Sequence, residues 1–366
     1  MGKIWQNLDK TLLFIVCMIV TMSLLTIGSA THINQDGLAL YDFIEKQTAF
    51  FLLNMVVVLI SFRFDYRSLK HWERPMYAGN LLLLLAVMFV GTSALGAQRW
   101  IEIGPITIQP SEFSKIIMII CTASMLTRRI NKLETYRSLL PVALYVGVPF
   151  VLVLKQPDLG TSLVFLALAS GMVFFSNVNL KIILRLIGIG LPILPCMWFF
   201  LKEYQKDRIM VFFNPDIDPF GAGYHVIQSK IAVGSGLFWG KGLFNGSQSQ
   251  LDFLPENHTD FIFSVVGEEL GFIGCMFLLF LYMALLYRTV MIARTAKDPF
   301  GMLLAVGIAS MWLFQILVNI GMTCGIMPVT GIPLPFMSYG VSALTTNMLA
   351  VAILMNIYAR RKAMMF

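Results

Sequence analysis

The sequence predicts an all-α protein that crosses a membrane about ten times. Its 366 residues are 57% hydrophobic and 13% charged, with a mean hydropathy of +0.76, whereas soluble domains carry about one-quarter charged residues. Apolar runs recur at about the length of 20 residues that a helix needs to cross a bilayer. They predict spans near residues 11–30, 46–62, 79–97, 112–127, 139–155, 160–176, 180–201, 261–287, 300–324 and 335–358.

The cations predict how these spans are oriented. Lys and Arg cluster in alternate short loops, which in membrane proteins face the cytoplasm. We therefore expect both termini to be cytoplasmic and read the net charge of +7 as a topology signal rather than a nucleic-acid footprint. The basic loops carry Arg63, Arg67, Lys70 and Arg74; Arg128, Arg129, Lys132 and Arg137; Lys181 and Arg185; Arg288, Arg294 and Lys297; and Arg360, Arg361 and Lys362.

Residues 1–366 read as a single membrane domain with one long extracytoplasmic loop, residues 202–260, before the eighth span. This loop contains seven acids and five bases and is rich in apolar residues. Val226, Ile227 and Ile231 recur at near-helical spacing, which predicts a short interfacial helix. The five cysteines lie in or beside apolar runs without CxxC spacing, which indicates buried thiols rather than disulfides or a metal site.

Asp260 is the first candidate for a functional residue. It ends the polar run Pro255-Glu256-Asn257-His258-Thr259 and immediately precedes the eighth span. A carboxylate at the rim of a membrane span is poorly solvated and costs free energy. Capping the following helix is the structural alternative. If capping were the only requirement, Thr259 would serve equally well, so we favour a catalytic role for Asp260. A single residue can both cap the helix and act in catalysis.

The other outer connections carry further candidates. Glu112 and Lys115 are three residues apart at the start of the fourth span, so they share a helix face and can form either a structural pair or part of a site. Asp158 follows Pro157 and can cap the sixth span or belong to the site.

Glu268 and Glu269 lie two turns inside the eighth span, where both need partners or protonation. Helical geometry puts Glu268 close to the Asp260 face and turns Glu269 away. The four histidines have no metal-ligand spacing. Phosphate-loop, dinucleotide-binding and serine-hydrolase motifs are not found in the sequence.

Five motifs follow one another along the chain. They are Gly96-Ala97-Gln98-Arg99-Trp100; Gln109-Pro110-Ser111-Glu112; Gln156-Pro157-Asp158-Leu159-Gly160-Thr161-Ser162; Leu254-Pro255-Glu256 with His258-Thr259-Asp260-Phe261-Ile262-Phe263; and Pro333-Leu334-Pro335 with Ser338-Tyr339-Gly340. With these motifs the chain resembles the SEDS family (shape, elongation, division and sporulation) along essentially its whole length.

Within that family the chain resembles the rod-shape elongation branch rather than the division branch. The features that carry this are Gly223-Tyr224-His225, Gln228-Ser229-Lys230-Ile231-Ala232 and Ser247-Gln248-Ser249-Gln250. Val341 and Leu237-Phe238-Trp239 depart from the family pattern, outside the acidic positions.

The resemblance implies a peptidoglycan glycosyltransferase that polymerises lipid II on the outer face of the cytoplasmic (inner) membrane. It implies a class B penicillin-binding protein as partner, within an elongation complex. The family's essential acid falls on Asp260, which makes it the expected catalytic residue. The expected substrate-binding residues are Glu112, Lys115, Asp158 and Trp100, with Arg99 and Arg208 as further cations facing the leaving pyrophosphate. A divalent cation such as Mg²⁺ is a candidate for the same charge compensation.

A lipid II flippase is the rival hypothesis. About ten spans and intramembrane charges suit a transporter, but no matching pair of broken helices of the inverted-repeat kind is evident. The polar motifs also crowd one face. A silent scaffold for the cell-wall machinery is the third hypothesis, and Asp260 in its motif argues against it.

Overall fold

The computed structural model describes residues 8–31, 42–94, 97–104, 106–129, 136–176, 203–219, 221–251 and 253–361, and a few positions between 178 and 188. The described chain is mostly helical, as predicted. The long helices are α1 (Lys10–Ala30), α2 (Asp42–Ser61), α3 (Glu73–Val90), α4 (Pro110–Arg129), α5 (Tyr136–Lys155), α6 (Leu159–Phe174), α10 (Ile262–Thr295), α11 (Pro299–Thr323) and α12 (Val341–Ala359). Seven helices in the described ranges are long and apolar enough to cross a membrane: α1, α2, α3, α5, α10, α11 and α12.

Nine of the ten predicted spans correspond to helices, and the predicted span at 180–201 lies largely outside the described residues. Helix α4 carries Glu112 and Lys115 and is more polar than the seven candidates, while α6 is a shorter apolar helix of 16 residues. Helix α10 continues to Thr295, beyond the predicted end at 287. Helix α12 begins at Val341 rather than 335, because Pro335 and the positive φ of Phe336 hold the preceding segment in a turn.

The predicted third span, 79–97, extends too far, and the all-α class omits a small sheet between residues 92 and 108. Helix α3 ends at Val90, and the chain then forms a three-stranded antiparallel sheet of β1 (Thr92–Ala94), β2 (Ala97–Ile103) and β3 (Ile106–Ile108), in the order β1-β2-β3. In the register Ile101 faces Ile108 and Glu102 faces Thr107. Alternation of apolar and polar residues favours strands here, within a segment that the sequence placed mostly in an outer loop.

The long loop is largely helical in the described residues. It contains α7 (Glu203–Phe213), a 3₁₀ turn at Pro215–Ile217, α8 (Ala222–Ser235) and the short α9 (Ser247–Gln250). Helix α8 confirms that a short helix lies at the predicted position, and its face with Val226 and Ala232 is buried, while Ile231 is exposed.

The core lies where α10, α11 and α6 pack together and against α4. Trp312 and Tyr282 are among its largest fully buried side chains. Gly307 allows close approach of α11, since a Cβ there would lie 2.8 Å from Met172 Sδ and 2.9 Å from Ile119 Cγ2.

The two ends of this bundle differ in construction. We call one end of the bundle the site end. It is formed by the described residues within 91–109, 156–158, 203–261 and 324–340. These connections contact one another there, since Arg99 lies near Asp158 and Tyr339 N donates to His258 O at 2.9 Å. The opposite end is formed by residues 62–72, 296–298 and 360–361, which are joined by contacts such as Arg67–Asp298.

Candidate functional site

A cavity of about 320 Å³ opens at the site end and gathers all five motifs. It is lined by residues from β2, α4, the start of α6, α7, the segment before α10 and the segment before α12. Its charged and aromatic lining residues are Arg99, Trp100, Glu112, Arg208, Glu256, His258, Asp260 and Tyr339.

Asp260 lies in a backbone segment that is held on both sides. Asn319 of α11 donates through Nδ2 to Asp260 O at 3.0 Å and to Ile332 O at 2.8 Å. Ser338 Oγ donates to Thr259 O at 2.7 Å. The segments before α10 and before α12 are therefore joined at this point, which positions the Asp260 carboxyl in the cavity.

The structural alternative for Asp260, capping of the eighth span, is wrong. Helix α10 begins at Ile262, its N-cap position is Phe261, and no side chain caps it. The Asp260 carboxyl therefore stays directed at the cavity instead of being used by the helix. Gly331, with φ +71°, leaves room beside it, since a Cβ there would lie 3.3 Å from Asp260 Oδ2.

Burial, and after it the negative charge of Glu256, raise the pKa of Asp260 to about 6, although the charges of Arg208 and Arg99 lower it in part. Loss of hydration is therefore the main influence on the titration of this group. A carboxyl with a pKa near neutrality is a stronger base than an ordinary aspartate and is still ionised at pH 7.

Two of the expected substrate-binding cations line the cavity. Arg99 lies on β2 with Nη1 3.7 Å from Asp158 Oδ1. Arg208 lies on α7 and donates to Val329 O at 3.3 Å. Both are only partly buried, so their charges can act on a bound anion.

Asp158 is buried just behind this wall. Its Oδ1 accepts from Thr161 N at 3.0 Å, so Asp158 caps α6. Capping was one of the two roles that the sequence left open for it. Its Oδ2 accepts from Gln109 Nε2 and Ser111 Oγ, both at 3.2 Å. Asp158 therefore joins three motif segments, and its Oδ1 lies 3.7 Å from Arg99 Nη1 at the cavity wall.

Glu112 and Lys115 form the predicted pair, with Lys115 Nζ 2.6 Å from Glu112 Oε2. Both side chains are almost completely buried, at 3% and 2% exposure. Glu112 lines the cavity, whereas Lys115 is buried and is not one of the described residues that line it. Trp100, on β2 beside Arg99, lines the same cavity.

The structure adds residues to which the sequence assigned no role. Glu256 lines the cavity, has φ +52° and accepts from Thr259 Oγ1 at 2.8 Å. The His258 ring packs on Phe43 and Tyr339. Burial lowers the pKa of His258, partly offset by Glu256, so the ring is neutral at pH 7. The signal available in the sequence was that these residues share the motif of Asp260.

Glu268 and Glu269 do not line this cavity. Helical geometry predicted that Glu268 lies close to the Asp260 face, but this does not bring Glu268 into the site. Both are fully buried and, as predicted, have partners. Glu268 Oε1 pairs with Lys241 Nζ at 2.7 Å and accepts from Gln248 N at 2.9 Å. Glu269 Oε1 accepts from Ser29 Oγ at 2.5 Å.

A divalent cation is not well matched by the donors of this part of the chain. No group of three or more His, Cys, Asp or Glu side chains that could hold a metal is found among the described residues. The cavity instead sets Glu256 and Asp260 against Arg99 and Arg208. These residues therefore do not form a protein site suited to Mg²⁺.

The chain resembles known proteins along almost its whole length. The family model described as "Cell cycle protein" (FtsW, RodA and SpoVE) matches residues 10–363. The peptidoglycan glycosyltransferase MrdB of Escherichia coli K12 is 39% identical over 357 residues, which are 97% of this chain and 95% of that protein. A probable peptidoglycan glycosyltransferase FtsW of Geobacter sp. is 36% identical over 367 residues, 98% of each chain.

Solved structures agree with this. A chain from a peptidoglycan synthase complex, solved for the structural coordination of polymerization and crosslinking, superposes with a TM-score of 0.81 at 29% identity, covering 96% of this chain and 97% of its own. The rod shape determining protein RodA of Thermus thermophilus superposes with a TM-score of 0.73 at 28% identity, covering 98% and 99%.

Proposed function

This chain belongs to the FtsW/RodA/SpoVE family of cell cycle proteins, and from that premise we propose that it is a peptidoglycan glycosyltransferase. Its substrate would be lipid II, a disaccharide-pentapeptide on undecaprenyl pyrophosphate. The observation that carries the proposal is the Asp260 carboxyl, set in a cavity with Arg99 and Arg208 and with a pKa raised to about 6. A base opposite cations suits transfer of a sugar away from a pyrophosphate.

The reaction would be a single inverting displacement. The acceptor is a sugar hydroxyl of one lipid II, and the donor is a glycan linked through its anomeric carbon to pyrophosphate. The acceptor oxygen forms a bond to the anomeric carbon as the bond from that carbon to the pyrophosphate oxygen breaks, and undecaprenyl pyrophosphate leaves with the electron pair. Asp260 takes the hydroxyl proton.

Charge compensation for the leaving group would come from Arg99 and Arg208, which line the cavity with Asp260. Lys115 is a weaker candidate than the sequence suggested, because Glu112 already neutralises it at 2.6 Å. Positioning of both substrates in the cavity supplies the remaining acceleration. Trp100 offers an aromatic wall for a sugar.

We further propose that the site end faces the outside of the cytoplasmic membrane and that the chain serves lateral wall elongation. Basic clusters lie in loops of the opposite end, consistent with a cytoplasmic location and cytoplasmic termini. The branch assignment rests on the elongation-type motifs around residues 223–232 and 247–250, and on similarity to MrdB and to RodA.

A crosslinking partner follows from the same comparison. The synthase complex that this chain resembles coordinates polymerization with crosslinking. We propose that this chain supplies the polymerase of such a complex and that a class B penicillin-binding protein supplies the transpeptidase.

The test is polymerisation of lipid II by the purified chain with its partner, wild type against Asp260→Asn. The amide keeps the size of the side chain and removes its basicity, so glycan strands should form at least about 100-fold more slowly. Normal strand formation by Asp260→Asn would refute the base assignment.

The flippase alternative is tested with the same proteins in liposomes. Labelled lipid II on one leaflet reports movement, and strand formation reports polymerisation. Movement of lipid II without any polymer, equal in wild type and Asp260→Asn, would favour the transporter.

A further inference from the structure

Helix α10 is broken at Gly271, and a loop of the chain fills the break. Gly271 has φ 62° and ψ −160°, which are not helical. In an unbroken helix the N–H groups of Phe272 and Ile273 would donate to Glu268 O and Glu269 O. Here Phe272 N donates to Leu237 O at 2.9 Å and Ile273 N to Phe238 O at 3.3 Å.

The carbonyl groups that lose their helical hydrogen bonds at the break accept hydrogen bonds from the same loop. Lys241 N donates to Glu268 O at 3.0 Å and Gly242 N to Glu269 O at 2.9 Å. The loop thus substitutes for the helix's own hydrogen bonds on both sides of the break. Irregular backbone is tolerated at membrane depth only where its polar groups are satisfied in this way.

Close approach of the two segments depends on glycine. A Cβ at Gly240 would lie 2.1 Å from Glu269 O, and one at Gly271 would lie 2.3 Å from Gly240 N. A Cβ at Gly236 would lie 1.9 Å from Gly267 O. The loop is therefore pressed against the helix backbone, and its position along α10 is defined.

That position coincides with the edge of the apolar part of α10. Residues 270–287 contain no charged side chain, and they are bracketed by Glu269 on one side and Arg288 on the other. At 1.5 Å per residue these 18 residues span about 27 Å, close to the roughly 30 Å of a hydrocarbon core. Phe272 and the loop bonded to it therefore lie at the boundary between water and hydrocarbon.

The loop presents three large apolar side chains outward at that level. Leu237 is 80% exposed and Trp239 is 78% exposed, and Phe238 stacks on Phe272 with ring centroids 5.5 Å apart. The exposed apolar face continues down α10 through Ile273, Met276, Phe277 and Phe280. Lys241, just beyond, is tied to Glu268 on the polar side of the boundary.

We propose that Leu237, Phe238 and Trp239 insert into the lipid bilayer at its interface and anchor the long loop of the site end. The occupant of this surface is lipid, because the surface is continuous with the apolar face of a membrane-spanning helix and lies at the depth where Trp and other aromatic residues are favoured. The anchor holds the loop that leads to Asp260 at a constant height above the membrane. This inference does not depend on the reaction proposed above.

The test places the full chain in lipid nanodiscs that contain phospholipids brominated either near the headgroup or near the end of the acyl chain. The chain has six tryptophans, so the Trp239 signal is the emission of the wild type minus that of Trp239→Phe, which keeps an aromatic apolar side chain. The signal should be quenched about twofold more by the shallow bromine than by the deep one. Aqueous iodide should leave it unquenched.

The matched control is the wild type minus Trp312→Phe, because Trp312 is fully buried in the core and should be reached by neither quencher. Quenching of Trp239 by iodide but not by brominated lipid would put the patch in water, open to a protein partner, and overturn the proposal. Equal quenching at both bromine depths would overturn the interfacial position.

Discussion

Asp260 and Asp298 lie at opposite ends of the bundle, each just before a membrane-spanning helix, and their electrostatic settings are opposite. Asp298 caps α11 by accepting from Gly301 N at 2.9 Å and also accepts from Arg67 Nε at 3.0 Å and from the Tyr66 hydroxyl. The Asp260 carboxyl has no hydrogen bond or ion pair with any side chain that the structure describes.

Their pKa values follow from these partners. Burial would raise the pKa of Asp298, but the hydrogen bonds from Tyr66, Gly301 N–H and Arg67 outweigh it, so the pKa of Asp298 is lowered. For Asp260 burial dominates and raises the pKa to about 6. The same residue type contributes stability where donors surround it and is available for chemistry where they are withheld.

The contrast extends to other charges at the two ends. At the opposite end Asp9 caps α1 and pairs with Arg288 at 2.7 Å, while Glu73 pairs with Arg128 at 2.7 Å. At the site end Arg99 is 3.7 Å from Asp158, a looser contact, and faces the cavity. The close pairs at the opposite end join helices to one another. The site end also has close pairs, such as Lys115 with Glu112 at 2.6 Å, but the looser contact of Arg99 leaves its charge able to act on a bound anion.

The largest difference between the two ends is expected when each aspartate is replaced by asparagine. Asp260→Asn should reduce the initial rate of lipid II polymerisation by about 10²- to 10⁴-fold, because it removes the base. Asp298→Asn, in the same assay with the same partner, should stay within about threefold of wild type, because this side chain touches no substrate. Comparable losses in the two variants would show that the ends do not differ as proposed.

The pH dependence of the wild-type rate should follow Asp260. Below its pKa of about 6 the carboxyl is protonated and cannot accept a proton. The rate should fall about tenfold per pH unit below that point and level off above it. A profile between pH 5 and pH 7 that is flat in wild type and in Asp298→Asn would contradict the assignment of the base.

A third comparison uses one arginine from each end. Arg208→Gln should lower kcat/KM for lipid II by about 10- to 100-fold, because a cation near the leaving pyrophosphate is lost. Arg208→Lys should recover part of this rate, since it keeps the charge. Arg67→Gln at the opposite end serves as the control, and a loss there as large as in Arg208→Gln would argue for a structural rather than an electrostatic cause.

The free energy of unfolding should depend on Asp298 at the opposite end. Asp298→Asn should lower the free energy of unfolding by about 1–3 kcal/mol at pH 7, because three donors lose a charged acceptor. Because the pKa of Asp298 is lowered on folding, its stabilisation is present above the unfolded pKa and is lost as the pH falls through the folded one. Thermal unfolding in detergent should therefore show a gap between variant and wild type at pH 7 that narrows in acid. A constant gap would exclude the charge as its source.

The smallest expected effect is a gain in stability when Asp260 is replaced, opposite in sign to the loss expected for Asp298→Asn. The pKa of Asp260 is raised on folding, so ionisation favours the unfolded chain once the pH exceeds the unfolded value. Asp260→Asn should therefore be more stable than wild type above pH 6, on the order of 1–2 kcal/mol, and equal to it below about pH 4. Equal unfolding temperatures at pH 7.5 would show that the carboxyl is better solvated than its burial indicates.

Much of this architecture could be predicted from local patterns. Apolar runs predicted nine helices that the structure shows, and the spacing of three between Glu112 and Lys115 predicted their pairing. The position of Asp158 after Pro157 predicted its cap. These three predictions depend on residues within a turn or two of one another, or on the length of an apolar run. Such local information is available from the sequence alone.

The tertiary structure decided what depends on distant segments. The sheet at 92–108 depends on pairing between three short segments, and residues 237–242 supply the hydrogen bonds that the break at Gly271 leaves unmade. The pKa of Asp260 is the clearest example, since Glu256, Arg208 and Arg99 come from three parts of the chain. Desolvation and electric field are properties of what surrounds a side chain in space. The sequence therefore determined that an aspartate stands at the head of this helix, and only folding around the cavity decided how strongly it holds its proton.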